Sequence, residues 1–221
     1  MMVKAMILAA GKGERMLPLT KVLPKPLLHI GDKPLIQYHI EALAEASVSE
    51  IIINTGRFGE KIEKIFGNGK KYGVNIRYSH EGIEPLGTGG GVLNALPLLG
   101  KSPFILINGD IHTNFNFSLL QSLTDNLAHI IMVDNPVHNS DGDFTLYSGL
   151  VGEYGQKMLT FSGIGVYQPG FFYDAGKQMI SFIPALRSAI NQEKVTGEHY
   201  QGKWHDVGTP ERLRMLNKEL E

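Results

Sequence analysis

The stretch Ala9-Ala10-Gly11-Lys12-Gly13-Glu14-Arg15-Met16-Leu17-Pro18-Leu19-Thr20 decides how this chain is read. Ahead of it, Val3 to Ala9 is a continuous apolar run bounded by Gly11, the pattern of a buried strand. A glycine loop at the carboxyl end of such a strand is where an open α/β sheet binds its ligand. The loop is not a dinucleotide fingerprint. That motif needs a third glycine at position 16, to let the next helix pack closely, and Met16 stands there. No helix follows at once, because Pro18, Pro24 and Pro26 hold residues 10–33 in loop. A Walker loop is also absent, since Gly69-Lys70-Lys71 lacks the hydroxyl and the preceding glycine spacing. What remains is a loop of small residues whose backbone N–H groups can approach an anion, with Arg15 and Lys25 as added charges.

Outward from this loop, strand and helix signals alternate. Pro34 opens a helix to Ala46, with Ile36, Ile40 and Leu43 on one face. Strands are expected at Glu50–Asn54, Val74–Ser79, Pro103–Asn108 and Ala128–Val133, and a short helix at Glu60–Phe66 ending at Gly67. Residues 81–91 read as a glycine-rich loop, followed by a helix over Val92–Leu99 that breaks near Pro97. A helix is expected over Phe117–Thr124. After a polar loop at 134–142 come strands at Phe144–Tyr147 and Met158–Val166, a helix over Ile180–Gln192, a short extended piece at Trp204–Val207 and a closing helix from Pro210. The alternation predicts an α/β fold with helices on both faces of the sheet. Residues 1–133 read as its ligand-binding core, and 134–221 as a subdomain of the same single domain.

Composition narrows the classes. A chain of 221 residues supports one domain with a real core, and 43% hydrophobic content excludes wholesale disorder. The absence of cysteine excludes disulfide scaffolds, zinc–cysteine and iron–sulfur sites and thiol nucleophiles. A net charge of −1 is not that of a nucleic-acid or anionic-membrane binder. No apolar run reaches membrane-spanning length, and Met1–Ala10 is too short and too charged for a signal peptide, so a cytoplasmic location is expected. Charge is unevenly spread: residues 1–33 carry +4 and the remainder −5, a local basic site for a small polyanion.

The ordered pattern from Ala9 through Thr20, followed by Pro24-Lys25-Pro26-Leu27, resembles the signature of the sugar-1-phosphate nucleotidylyltransferases. Leu86-Gly87-Thr88-Gly89-Gly90 resembles that family's base-contacting loop, and Asn108-Gly109-Asp110 its metal-binding aspartate. Trp204-His205-Asp206-Val207-Gly208-Thr209-Pro210-Glu211 resembles the segment carrying its second metal aspartate. The likeness covers nearly the whole chain. It implies the family's Rossmann-like three-layer fold, with a mostly parallel central sheet and a small sugar-side subdomain. Gly142-Asp143-Phe144, Thr160-Phe161-Ser162-Gly163-Ile164 and Gly197-Glu198-His199-Tyr200 are similar to the branch that uridylylates N-acetylmuramate-1-phosphate in cell-wall recycling.

The resemblance implies transfer of a uridylyl group from UTP to a sugar-1-phosphate, with release of pyrophosphate. A phosphate monoester has its second pKa at ~6 and is already ionised at neutral pH, so no general base is required. Catalysis would be positioning and charge neutralisation. Asp110 and Asp206 would hold Mg²⁺. Arg15 would grip the departing pyrophosphate and Lys25 the α-phosphate, with Arg15, Lys25 and Asp110 as the catalytic set. Ala10, Gly11, Gly13, Glu14, Thr88 and Gly89 would complete the nucleotide site; Lys12, Lys21 and Lys33 read as surface charges. Asn108, Asp143 and Gly163 would meet the sugar, and Lys194 and His199 are candidates for a sugar carboxylate.

The Glu-Lys-Pro segment of many relatives is missing: Glu153-Tyr154-Gly155-Gln156-Lys157 has no equivalent spacing, which speaks against plain glucose-1-phosphate. Trp204 reads as a packing anchor. His205 is expected to point away from its neighbour Asp206. The expected partners are the two small substrates, with a monomer or small homo-oligomer and no nucleic acid or membrane. Alternatives are another sugar-1-phosphate (glucose, a heptose or a polyol phosphate), dTTP in place of UTP, or a non-catalytic sugar-nucleotide sensor.

Overall fold

The computed structural model describes residues 3–121, 126–173 and 181–220. The first half runs β1 (Lys4–Leu8), β2 (His29–Ile30), β3 (Lys33–Pro34), α1 (Leu35–Glu45), β4 (Glu50–Thr55), α2 (Gly59–Phe66), β5 (Asn75–His80), α3 (Gly87–Leu99), β6 (Phe104–Asn108) and β7 (Ile111–Thr113). The second half runs β8 (Ala128–Val133), β9 (Phe144–Tyr147), β10 (Leu150–Gly152), β11 (Met158–Tyr167), α4 (Pro169–Tyr173), α5 (Ile183–Asn191), β12 (Val195–His199), β13 (Trp204–Asp206) and α6 (Pro210–Glu219).

Nine strands form one sheet in the order β5-β4-β1-β6-β11-β8-β12-β10-β9. β5, β4, β1 and β6 are mutually parallel, and β8 is parallel to β12. β11 is antiparallel to both β6 and β8, and β10 to both β12 and β9. Of these nine, only β11 and β10 run against the rest. The carboxyl ends of β1, β4, β5 and β6 therefore share one edge, where an open α/β sheet places its ligands. After residue 134, β9, β10, β11 and β12 join the same sheet, β11 lying between β6 and β8, whereas β13 pairs with β7 in a separate two-stranded ribbon.

Side chains of β1 alternate between two cores, as the strand's period of two requires. Ala5 and Ile7 pack with Ile36, Ile40 and Leu43 of α1 and Ile62 and Phe66 of α2. Met6 packs with Val92, Ala95 and Leu99 of α3 on the opposite face. Burial on both faces explains why the strand reads as an unbroken apolar run. A third cluster joins Val207 and α6, through Leu213 and Leu216, to Met16, Leu28 and Ile30 of the N-terminal loop region. Asn217 Oδ1 reinforces it by accepting the Gly31 N–H at 2.7 Å.

The structure departs from the sequence reading at α3. Its first turn is built from Gly87-Thr88-Gly89-Gly90, which the sequence assigns to a loop. Glycine has poor helix propensity, but here tertiary contact overrides it. The helix entrance is held by Glu81 Oε2, which accepts the Leu86 N–H at 2.8 Å. The helix also runs on through Pro97 instead of breaking there. Pro97 is exposed and lies in the last turn, where its missing N–H forfeits a single helical bond.

The helix expected over Phe117–Thr124 is a 3₁₀ turn at Phe117–Gln121, and residues 122–125 lie outside the described residues. The helix expected from Ile180 is seen from Ile183; Ile180 also lies outside them. Among the described residues, no helix is long and apolar enough to cross a membrane.

Candidate active site

A cleft of about 520 Å³ opens at the carboxyl edge of the sheet, over the ends of β1, β4 and β6. Of the nucleotide residues named from sequence, Ala10, Gly11, Gly13, Glu14, Arg15, Lys25 and Thr88 line it. Asn108 and Asp110 line its other side, together with Gly208. Gly89 does not line the cleft; it is buried on the first turn of α3.

The loop after β1 is held by its own geometry. Gly13 has φ 65°, a left-handed conformation that favours glycine, and its carbonyl accepts the Thr20 hydroxyl at 2.7 Å. A Cβ at Gly13 would also press on Thr20 Cγ2 at 2.9 Å. A Cβ at Gly11 would meet no protein atom within 4 Å. Lys25 is only 8% exposed, and its backbone is fixed between Pro24 and Pro26. Its ammonium donates to Asp110 Oδ2 at 2.8 Å. An ammonium has three donors, so Lys25 keeps two more for an anion in the cleft.

The two aspartates come from distant segments joined by a small ribbon. β13 pairs with β7 so that Asp206 lies opposite Ile111, and the Val207 N–H donates to the Asp110 carbonyl at 2.8 Å. Asp206 Oδ2 accepts Arg212 Nη1 at 2.8 Å and lies 3.2 Å from His138 Nε2. Asp206 Oδ1 is buried and has no hydrogen-bond partner among the described residues. Leaving a buried acceptor unmatched is costly, and a cation is one way to satisfy it. Among the described residues no cluster of three or more His, Cys, Asp or Glu forms a complete metal cage. A hard cation that takes one or two carboxylates, and fills its remaining positions with phosphate oxygens and water, fits this donor set. His205 turns the other way, as alternation requires, toward His112 and Glu219.

On the sugar side the residues part company. Gly163, at φ 80° in an irregular stretch of β11, lies under Asn108, where a Cβ would stand 2.5 Å from Asn108 Nδ2. It is a floor for Asn108, not part of the cleft lining. Asp143 also lies outside the lining, and its carboxylate has another use. Oδ2 accepts the Phe161 N–H at 2.8 Å, fastening the entry of β9 to β11. His199 pairs with Asp134 at 3.0 Å, and the Lys194 N–H closes the α5–β12 turn on the Ala189 carbonyl at 3.0 Å. Neither of these two lines the cleft. Trp204 anchors packing, donating Nε1–H to the Ser162 carbonyl at 2.9 Å.

Three features escaped the sequence reading. Lys12 is not a bystander: it lines the cleft and pairs with Glu84 at 2.6 Å. The hydrogen bond and charge of Glu84 raise the Lys12 pKa above its ordinary value. Arg212 restrains the second aspartate. Asn54 and Glu81 both line the cleft. The signal for Asn54 was present, a polar residue closing the run Ile51-Ile52-Ile53 at the ligand-binding edge.

Comparison with known proteins shows the family and the fold. The nucleotidyl transferase family model matches residues 4–141. The chain is 47% identical over 221 residues to the N-acetylmuramate alpha-1-phosphate uridylyltransferase of Neisseria meningitidis serogroup B, covering 96% of this chain and 95% of that one. It is 31% identical over 231 residues to the mannose-1-phosphate guanyltransferase of Schizosaccharomyces pombe, covering 94% of this chain but only 61% of that enzyme. A putative glucose-1-phosphate thymidylyltransferase from Bacillus anthracis superposes with a TM-score of 0.83 at 20% identity, over 98% of this chain and 94% of that one. UDP-glucose pyrophosphorylase complexed with UDP-glucose gives 0.79 at 23% identity, over 100% and 98%. At these identities the two structures speak to the fold alone.

Proposed function

Because the chain belongs to the nucleotidyl transferase family, we propose that it transfers a uridylyl group from UTP to N-acetylmuramate α-1-phosphate, giving the UDP-sugar and pyrophosphate. The observation that carries this is the 47% identity to the Neisseria uridylyltransferase across nearly the full length of both chains. The cleft supports it, with small backbone-rich loops and the Lys25–Asp110 pair at the point where two anions must meet.

The reaction needs no proton relay. An oxygen of the sugar phosphate attacks the α-phosphorus of UTP, a new P–O bond forms, and the bond to the bridging oxygen breaks. The electron pair leaves with pyrophosphate. The attacking monoester has its second pKa at ~6 and arrives ionised. The difficulty is electrostatic, and the chain answers it with positioned charge and N–H donors. Backbone N–H groups of Gly11 and Gly13 take phosphate oxygens. Lys25, fixed between two prolines, steadies the α-phosphate, and Arg15 holds the departing pyrophosphate. Ala10 and the first turn of α3, at Thr88, flank the base. Asn108 reaches the sugar from its seat on Gly163.

Asp110 and Asp206 are the residues that would hold Mg²⁺, with Asp206 Oδ1 free to accept it. When bound, the ion supplies charge neutralisation and a template for the phosphates. We infer that the reaction runs in the cytoplasm and that its product serves cell-wall recycling.

The test is pyrophosphate release with Mg²⁺ across UTP, dTTP, CTP, ATP and GTP, each against a panel of sugar-1-phosphates. The reading requires release with UTP and N-acetylmuramate α-1-phosphate far above every other pair. Release with a different sugar keeps the chemistry and overturns the substrate. Silence from folded protein that still binds UTP favours a sugar-nucleotide sensor.

A further inference from the structure

Ala9 follows β1, Asn54 lies near the end of β4, Glu81 follows β5 and Leu86 precedes α3, yet four polar groups bind these segments into one line. Asn54 Oδ1 accepts the Ala9 N–H at 2.6 Å, and Asn54 Nδ2 donates to Glu81 Oε1 at 2.6 Å. Glu81 Oε2 accepts the Leu86 N–H at 2.8 Å. Asn54 is 3% exposed, and both side chains reach the cleft wall. The line has a fixed polarity. Ala9 needs an acceptor and the Glu81 carboxylate needs a donor, so the amide can be oriented only one way. Gly91 makes room for it, because a Cβ there would collide with Glu81 Oε1 and stand 2.8 Å from Asn54 Nδ2.

We propose that Asn54 and Glu81 are positioning residues, a strut that sets the phosphate-binding loop and the base-binding turn at the spacing a uridine triphosphate requires. The strut rests on the nucleotide reading above and extends it to base discrimination. Ala9 leads directly into the phosphate loop, and Leu86 directly into Gly87 and Thr88. A shift at either end moves one half of the nucleotide site relative to the other. Loss of the strut therefore weakens the fit of the whole nucleotide and relaxes the choice of base, while the sugar phosphate, held elsewhere, is unaffected.

The polarity supplies the test. N54D faces a carboxylate with a carboxylate, and E81Q leaves one donor without its acceptor. The double variant N54D/E81Q restores every bond with the central one reversed. The position-54 carboxylate accepts from Ala9 and from the position-81 amide, whose oxygen accepts the Leu86 N–H. Titration calorimetry with UTP, dTTP and GTP, melting curves, and KM values for both substrates are recorded for all four proteins and for G91A.

Hydrogen bonds to a charged group are the stronger kind, so each single variant should bind UTP about 10- to 100-fold more weakly, with reduced preference for UTP over GTP. KM for the sugar phosphate should stay within about threefold, and the double variant should recover UTP affinity and preference to within about threefold. E81Q and G91A still decide the matter if N54D does not fold. Single variants with wild-type affinity and preference, or a double variant no better than the worse single, overturn the strut. Wild-type protein that binds UTP but turns over no sugar phosphate overturns the transferase reading, and the binding data still judge the strut. Wild-type protein that binds no nucleotide overturns both.

Discussion

Replacing Lys25 with methionine removes one charge from the cleft and little else. The lysine is 8% exposed, so most of its stem is packed, and methionine keeps that stem. What is lost is the ammonium 2.8 Å from Asp110 Oδ2. Removing one preorganised charge-stabilising donor costs about 10²- to 10³-fold in kcat, or ~3–4 kcal/mol of transition-state stabilisation. The folded state should lose far less. The Asp110 side chain is 34% exposed and can be hydrated by water in the cleft, so the melting temperature should move by only about 2–4 °C per kcal/mol of a small change. The assay is steady-state pyrophosphate release for wild type and K25M, with UTP and the sugar phosphate varied in turn, beside melting curves. A kcat within threefold of wild type refutes the assignment. An unchanged kcat with a raised KM for UTP would make Lys25 a ground-state binder instead.

Three further outcomes follow from the packing. L216A, at a residue 3% exposed between α6 and the N-terminal loop region, should cost ~2–5 kcal/mol and lower the melting temperature by roughly 5–15 °C in thermal denaturation. G163A should lower kcat/KM for the sugar phosphate more than for UTP, because a Cβ at φ 80° is strained and displaces Asn108; equal effects on both substrates in steady-state kinetics would count against this. His39, wholly buried, has its pKa pushed down to about 4 by burial, against the pull of a hydrogen bond to the Ile111 backbone. Well above pH 6.5 it is neutral whether folded or unfolded. As pH falls, the unfolded chain takes the proton first, so up to roughly 3 kcal/mol of stability is lost between pH 6.5 and about 4. Urea titrations at stepped pH should show that slope flattened in H39Q.

The elements legible in the sequence were those whose signal is local. β1, β4 and β6 are apolar on both faces and announce themselves as runs, and the prolines and Gly13 mark the loop that follows β1. The start of α3 does not read as a helix in the sequence because its first turn is made of glycines, and what fixes it is the Leu86 N–H donating to the Glu81 carboxylate five positions upstream. β12 was missed for a related reason. Thr196-Gly197-Glu198-His199 has no apolar alternation, and the strand exists because β8 and β10 flank it.

The site divides in the same way. Lys25 and Asp110 could be named from their motifs, and they meet. Asp143 carries the same kind of motif, yet its carboxylate is taken by the Phe161 N–H, a contact created by the pairing of distant strands. Asn54 and Glu81 gain their meaning from each other, 27 residues apart, and no local pattern links them.

The most direct test of the central claim is ³¹P NMR of wild-type enzyme with Mg²⁺, UTP and N-acetylmuramate α-1-phosphate in equal amounts. The account predicts that the sugar monoester and UTP signals decline together, while the paired resonances of a diphosphate-linked UDP-sugar and the single resonance of pyrophosphate rise in equal proportion. UTP converted to UDP or UMP with the sugar phosphate untouched, or both substrates unchanged beside protein that binds them, would contradict it.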